Sequence, residues 1–337
     1  MINFFLRRSI FMFATLFALL ILTFIISHVA PGDPAALAAG PDATKEMVEA
    51  VRKEYGLDKP LLLQFLLYAG NILQGDFGHS IFSGREVADD LMRYFPATFE
   101  LVIFSICIAV FLGVPLGVLS AVKQNTWIDH MIRIFSASGV GVPMFWLGMM
   151  LQLYFGLHLG WLPLGGQLAI MTDPPAPITH LLIIDSLLRL QFDVALEALQ
   201  HIFLPALTLC FPALASIARV NRAEMLETLN EDYITNSKAQ GISTLRIVGL
   251  YALRNAMLPT LAMIGLRFGW MLGGTVLVES VFDWPGVGLY AVQTAVSSDF
   301  EPIMAVTLLL GFFFMVANFI VDILYSLLDP RLQGISE

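Results

Sequence analysis

The chain has 337 residues, is 57% hydrophobic and 13% charged, and has a mean hydropathy of +0.77, so it carries more apolar surface than a soluble fold can bury. Its formal charge of −9 comes with only 18 Lys and Arg, scattered along the chain, which leaves no electrostatic footprint for nucleic acid. Two cysteines, Cys107 and Cys210, both lie in apolar runs; they exclude a disulfide framework and read as small buried packing residues.

Arg7-Arg8 open the first apolar run, Ser9 to Ser27. It is longer than the apolar core of a signal peptide, and Ser27-His28-Val29-Ala30 is a poor cleavage site, so it reads as a retained first membrane helix. Six spans follow from the apolar runs, at about 9–29, 97–122, 134–157, 201–220, 258–280 and 303–327. Each can cross ~30 Å of hydrocarbon at ~1.5 Å per residue. The runs are continuous, without strand alternation, so the spans are helical. The short segment 123–133 is basic and 281–302 has no Lys or Arg, which predicts both termini inside.

Two predicted outside insertions stand out. In 30–96, Ala43 to Tyr55 reads as an amphipathic helix, with Met47, Val48 and Val51 apolar and Lys45, Glu49 and Arg52 polar. Asp58 is expected to cap a second helix starting near Pro60. In 158–200, a Pro-rich stretch at 173–177 precedes weak helical character from Ile183 to Leu199. Residues 178–190 are either interfacial or dip into the bilayer, with Asp185 and Arg189 arguing against a full span. In 281–302, Trp284-Pro285-Gly286 punctuates the chain and a short apolar helix follows, too short to cross.

No Gly-x4-Gly-Lys-Ser/Thr loop occurs, so the chain has no Walker A site for ATP, and no His-Glu-x-x-His or Cys-x-x-Cys points to a metal. The six histidines are dispersed, and no Gly-x-Ser-x-Gly turn supports a nucleophile. No catalytic or metal-ligating residue is therefore assigned.

The charged segment 222–259 between apolar spans is the most informative stretch. It runs from Glu231-Asp232-Tyr233 through a small-residue helix to Gly241, then to Ala252-Leu253-Arg254-Asn255-Ala256 and Leu258-Pro259. Gly241 permits a sharp break between two short helices. Ile234, Ala239, Ile242, Leu245 and Val248 give apolar faces that a solvated loop does not need, with Glu231 and Lys238 as a polar rim. Such a knob can sit in a partner's groove. The basic residue deepest in a span is Arg267. It either snorkels to the inside surface, pairs with Asp322, or faces a solute path.

Gly241 and Leu258-Pro259, with the flanking Glu231–Ile234 and Ala252–Ala256 runs, resemble the coupling loop of ABC-importer permeases of the dipeptide, oligopeptide and nickel family. The resemblance extends along the chain: Phe5-Leu6-Arg7-Arg8, Pro31-Gly32-Asp33-Pro34, Tyr55-Gly56-Leu57-Asp58-Lys59-Pro60, Gly75-Asp76-Phe77-Gly78, Phe282–Gly288 and Leu328-Asp329-Pro330-Arg331. Thr235, Asn236 and Ser237 stand where the general importer signature has Glu-Ala-Ala. The 158–200 insertion makes the chain most similar to the longer subunit of the dipeptide permease.

The resemblance implies an all-α polytopic fold of the type I importer permease, with residues 1–30, an external insertion 31–96 and a core 97–337 carrying the coupling loop at about 222–257. It implies an ATPase-coupling site at Glu231, Asp232, Tyr233, Ser237, Lys238, Ala239 and Gly241, and an external loop at Asp283, Trp284, Pro285 and Gly286. Arg267 is the candidate for the substrate path. The implied partners are a paralogous permease, two ATPase subunits that hold ATP and Mg, a solute-binding protein outside, and the lipid of a bacterial inner membrane. The solute class is di- or oligopeptide, with nickel or glutathione as alternatives within the family. From another class, an ATP-independent secondary transporter would need more membrane-embedded ionisable groups than this chain offers.

Overall fold

The computed structural model describes residues 2–29, 43–54 and 58–328. Within them the chain is almost entirely helical, and the only β-type pairing is an isolated bridge between His79 and Glu86. The motifs at 31–34, 55–57 and 329–331 lie outside the described residues.

In chain order the helices are α1 (Ile2–Val29), α2 (Lys45–Glu54), α3 (Leu61–Leu73), α4 (Val87–Val122), α5 (Trp127–Gly141), α6 (Met144–Leu151) and α7 (Leu182–Leu188). Then come α8 (Phe192–Leu229), α9 (Asp232–Ala239), α10 (Thr244–Arg246), α11 (Leu253–Phe282), α12 (Val287–Val296) and α13 (Phe300–Leu328). Single π-helical stretches follow α6 (Gln152–His158) and precede α11 (Ile247–Ala252).

Among the described residues, five helices are long and apolar enough to span a membrane, and a bent pair makes a sixth candidate. That pair corrects the expected straight span at 134–157: α5 and α6 meet at 108°. Pro143 is the cause. Its ring disfavours helical backbone at the preceding residue, and Val142 is accordingly extended (φ −85°, ψ 125°). A second correction concerns α3. Its cap position is Pro60, no side chain caps it, and Gln64 instead donates to the Lys59 carbonyl at 2.7 Å, so Asp58 is not its cap.

The chain divides into two compact units, Met1–Pro96 with Gly286–Phe313, and Ala97–Pro285 with Phe314–Glu337. The first is built around Val87, Leu91, Val287, Tyr290, Ala305 and Val306. Tyr290 stacks on Tyr94 at 4.9 Å and donates to Asp90 at 2.8 Å. Burial pushes the Tyr290 hydroxyl above the ordinary tyrosine range, so it stays a donor. Asp299 accepts from the Ser80 hydroxyl at 2.8 Å and the Phe82 amide at 3.0 Å, which folds the 76–86 loop onto the start of α13.

The second unit is organised by α8. Its apolar window is 78% buried, and α5, α6, α7 and α11 all pack on it. Small residues let backbones approach: a Cβ at Gly117 would lie 2.8 Å from the Ala218 carbonyl oxygen, so only glycine fits that crossing. Cys210 is buried on α8 as expected, but Cys107 is exposed on α4, because the helix turns that apolar face away from its own chain.

The short helix α7 spans only ~10 Å by rise, too little to cross, and packs on α8. Asp185, 2% exposed, organises the turn before it. Burial raises its carboxyl, but this is outweighed by hydrogen bonds from the Thr179 hydroxyl (2.7 Å) and the amides of Thr179 (2.7 Å), Ile178 (3.0 Å) and His180 (3.0 Å). The net result holds it below the usual aspartate range.

Candidate functional site

The segment joining α8 to α11 forms a knob of two short helical pieces. Helix α9 carries Asp232 in its first turn and Lys238 in its last, each at the end where the helix dipole favours its charge. It is stopped by Gly241 at φ +76°. The Gly241 amide donates to Lys238 O at 3.0 Å, and the Ile242 amide to Ser237 O at 3.2 Å. This is the Schellman pattern, which needs a left-handed residue where Gly241 stands.

One face of the knob is spent inside the chain. Ile234 is 0% exposed and joins Ala121, Met225, Ile247, Ala252 and Ala256 in a core, with Ile242 and Val248 packed against it. The apolar face read from the sequence as free for a partner is therefore largely internal. Of the residues named for it, Ala239 and Leu245 point outward, Leu245 being 88% exposed. The outer surface of α9 is polar: Glu231, Asp232, Tyr233 and Lys238 are exposed, and Ser237, half-buried, donates to Tyr233 O at 2.7 Å.

The two halves of the segment are tied together. Asn255 donates its side-chain amide to the Tyr233 hydroxyl at 2.6 Å, so the Glu-Asp-Tyr and Ala-Leu-Arg-Asn-Ala runs meet in space although 22 residues separate them. The base is tied to the membrane helices. Arg222 at the end of α8 holds Asp129 in a bidentate ion pair, Nε–Oδ1 2.7 Å and Nη2–Oδ2 2.9 Å, and also donates to Ser120 Oγ at 3.0 Å. Asp129 and Ser120 are fully buried. One residue earlier, Asn221 donates to Thr260 Oγ1 at 3.1 Å, linking α8 to α11.

These anchors were not singled out from the sequence. Arg222 was there only the first residue of the charged segment 222–259. A lone Asp129 inside a basic flank was the available signal, since an acid there calls for a local cation.

The other sequence-assigned residues sit further along α11. Arg267 lies near its middle, with Nε buried and without a hydrogen-bond partner. The side chain of Asp322, one of its suggested partners, lies outside the described residues. At the far end, Asp283 takes the left-handed cap (φ 47°) and is exposed. Trp284 turns inward: it is 1% exposed, its indole N–H donates to Ala97 O at 2.9 Å and its amide to Glu279 O at 2.9 Å. Pro285 is half-buried, and Gly286 is buried at the start of α12. So Asp283 is the one of these four that is open to a partner. Helix α11 places the knob and Asp283 about 45 Å apart by helical rise, enough to put them on opposite faces of a bilayer.

Residues 113–334 match the family described as binding-protein-dependent transport system inner membrane component. Residues 1–102 match the N-terminal domain of such membrane components. The chain is 44% identical over 312 residues, covering 93% of it and 92% of the relative, to the probable D,D-dipeptide transport system permease protein DdpB of Escherichia coli strain K12. It is 38% identical over 333 residues, 99% of each chain, to the glutathione transport system permease protein GsiC of the same strain, and equally to that of Shigella dysenteriae serotype 1. The chain thus belongs to the family of inner membrane components of binding-protein-dependent transport systems, and is an ABC-importer permease of the peptide family.

Proposed function

We propose that this permease forms half of an inward path for dipeptides or other short peptides, paired with a similar but nonidentical permease. Two ATPase subunits hold ATP and Mg and dock on the α9 knob, while a solute-binding protein delivers the peptide outside. Both termini and residues 222–257 are cytoplasmic; residues 31–96 are an external insertion, and 97–337 are the core with its external loop at Asp283–Gly286. The two relatives transport a D,D-dipeptide and glutathione by name, which favours a short peptide over nickel.

The observation that carries the coupling role is the division of α9 into two faces. Ile234 fixes the knob to the permease core, and Tyr233–Asn255 braces it, while Glu231, Asp232, Lys238, Ala239 and Gly241 stay open. A knob that is rigid toward its own helices and bare outside can transmit a push. ATP closure of the ATPases would move the knobs together and shift the path between inward- and outward-facing states.

The test is purification from the native membrane followed by reconstitution. Co-purifying ATPase chains and ATP-dependent uptake of dipeptides are the expected result. A chain that transports without ATPase partners refutes the reading.

A further inference from the structure

Among the described residues no carboxylate lies within ion-pair distance of Arg267, whose Nε is buried without a hydrogen-bond partner. Arg267 lies 14 residues into α11, about 21 Å along a helix of about 45 Å. It lines a cavity of about 10 Å³ with Met144, Leu209, Pro212, Trp270 and Met271, and Leu209 and Pro212 belong to the middle of α8.

Arg219 lies on the same helix, α8. Arg219 donates to Ser136 O at 3.1 Å, and among the described residues neither arginine has a carboxylate within ion-pair distance. By contrast Arg222, three residues on, is fully matched by Asp129. A guanidinium with a buried, unpartnered nitrogen in an apolar helix is costly unless an anion or water reaches it. Trp270 and Leu266 beside Arg267 are exposed, so the open flank of α11 gives access to it.

From this geometry we propose that Arg267 holds the carboxylate of the transported solute as it passes along the path. The site would take small solutes with a free carboxylate and disfavour neutral or cationic ones. This rests on the peptide-import reading above. A planar guanidinium holds a carboxylate through two parallel hydrogen bonds, which lysine cannot reproduce.

The complex with its binding protein is reconstituted in proteoliposomes and given a radiolabelled dipeptide at saturating binding protein. Arg267→Gln is expected to assemble, and its dipeptide uptake per ATP to fall by about tenfold, the equivalent of one lost charged contact. Arg267→Lys should lie between. In wild type, a photo-leucine dipeptide should cross-link to Met144, Trp270 or Met271.

Unchanged uptake per ATP in Arg267→Gln, or cross-linking only elsewhere, overturns the proposal. So does loss of assembly in Arg267→Asp that is regained on adding Asp322→Arg, which would make the arginine a structural ion-pair partner. If the wild-type complex takes up no peptide at all, the peptide reading itself falls, and this proposal with it.

Discussion

At the residue scale, the second unit depends on a buried polar cluster around Asp129. Asp129 is satisfied by Arg222, Ser120 and the Asn125 amide. Asp129→Ala leaves the Arg222 charge in a mostly dry site, and removing one partner of a buried pair costs ~3 kcal/mol. The thermal transition of the purified complex is expected to shift to a clearly lower temperature, with Arg222→Ala added in a double variant costing little more. Asp185 makes a pH prediction. Its folded value is depressed, so its stabilisation of the 178–190 turn is complete above the ordinary aspartate value near ~3.9 and is lost as pH falls through the lower folded value. Pepsin should spare this turn in the wild type at pH ~5 and cut near Leu181 only in stronger acid. Asp185→Asn should be cut already at pH ~5.

At the element scale, Gly241 separates two explanations of one phenotype. A Cβ there meets nothing within 4 Å, so space is not limiting, but φ +76° strains an L residue by ~1–2 kcal/mol. Asn tolerates that backbone and a β-branched residue does not. Gly241→Asn is expected to retain ATP-driven uptake, and Gly241→Val to lower it severalfold with normal membrane insertion, as read by uptake in vesicles and blotting of the membrane fraction. Equal loss in both would mean that the side chain, rather than the turn, is at fault. The break at Gly241 and the helices around it were legible in the sequence because helix stops are local. The 108° bend at Pro143 was not drawn from the sequence, although its cause is local too. Hydropathy averaged over 134–157 carries no direction, and a proline can end a span or merely turn it.

At the scale of the whole molecule, the placement of faces is testable by labelling. In a background lacking Cys107 and Cys210, Gln74→Cys and Ser297→Cys are expected to react with a membrane-impermeant thiol reagent from outside. Gln240→Cys should react only once the membrane is opened. All three positions are exposed. Reaction of Gln240→Cys in intact cells would overturn the orientation.

The sequence by itself determined the membrane class, the helical content, the approximate spans and the family resemblance, because apolar length, scarce charge and ordered short motifs are one-dimensional properties. Which apolar residues face the chain's own core was decided only in three dimensions. Ile234, Ile242 and Val248 carried the same hydrophobic signal as Leu245, yet only Leu245 and Ala239 remain outside. Trp284 sat in an outside-loop motif and is buried. The pairings Arg222–Asp129, Tyr233–Asn255 and Asn221–Thr260 join residues 22 to 93 apart in the chain. Periodicity reports that a face is apolar, but only the packing of one helix on another decides whether that face meets lipid, a partner or its own chain.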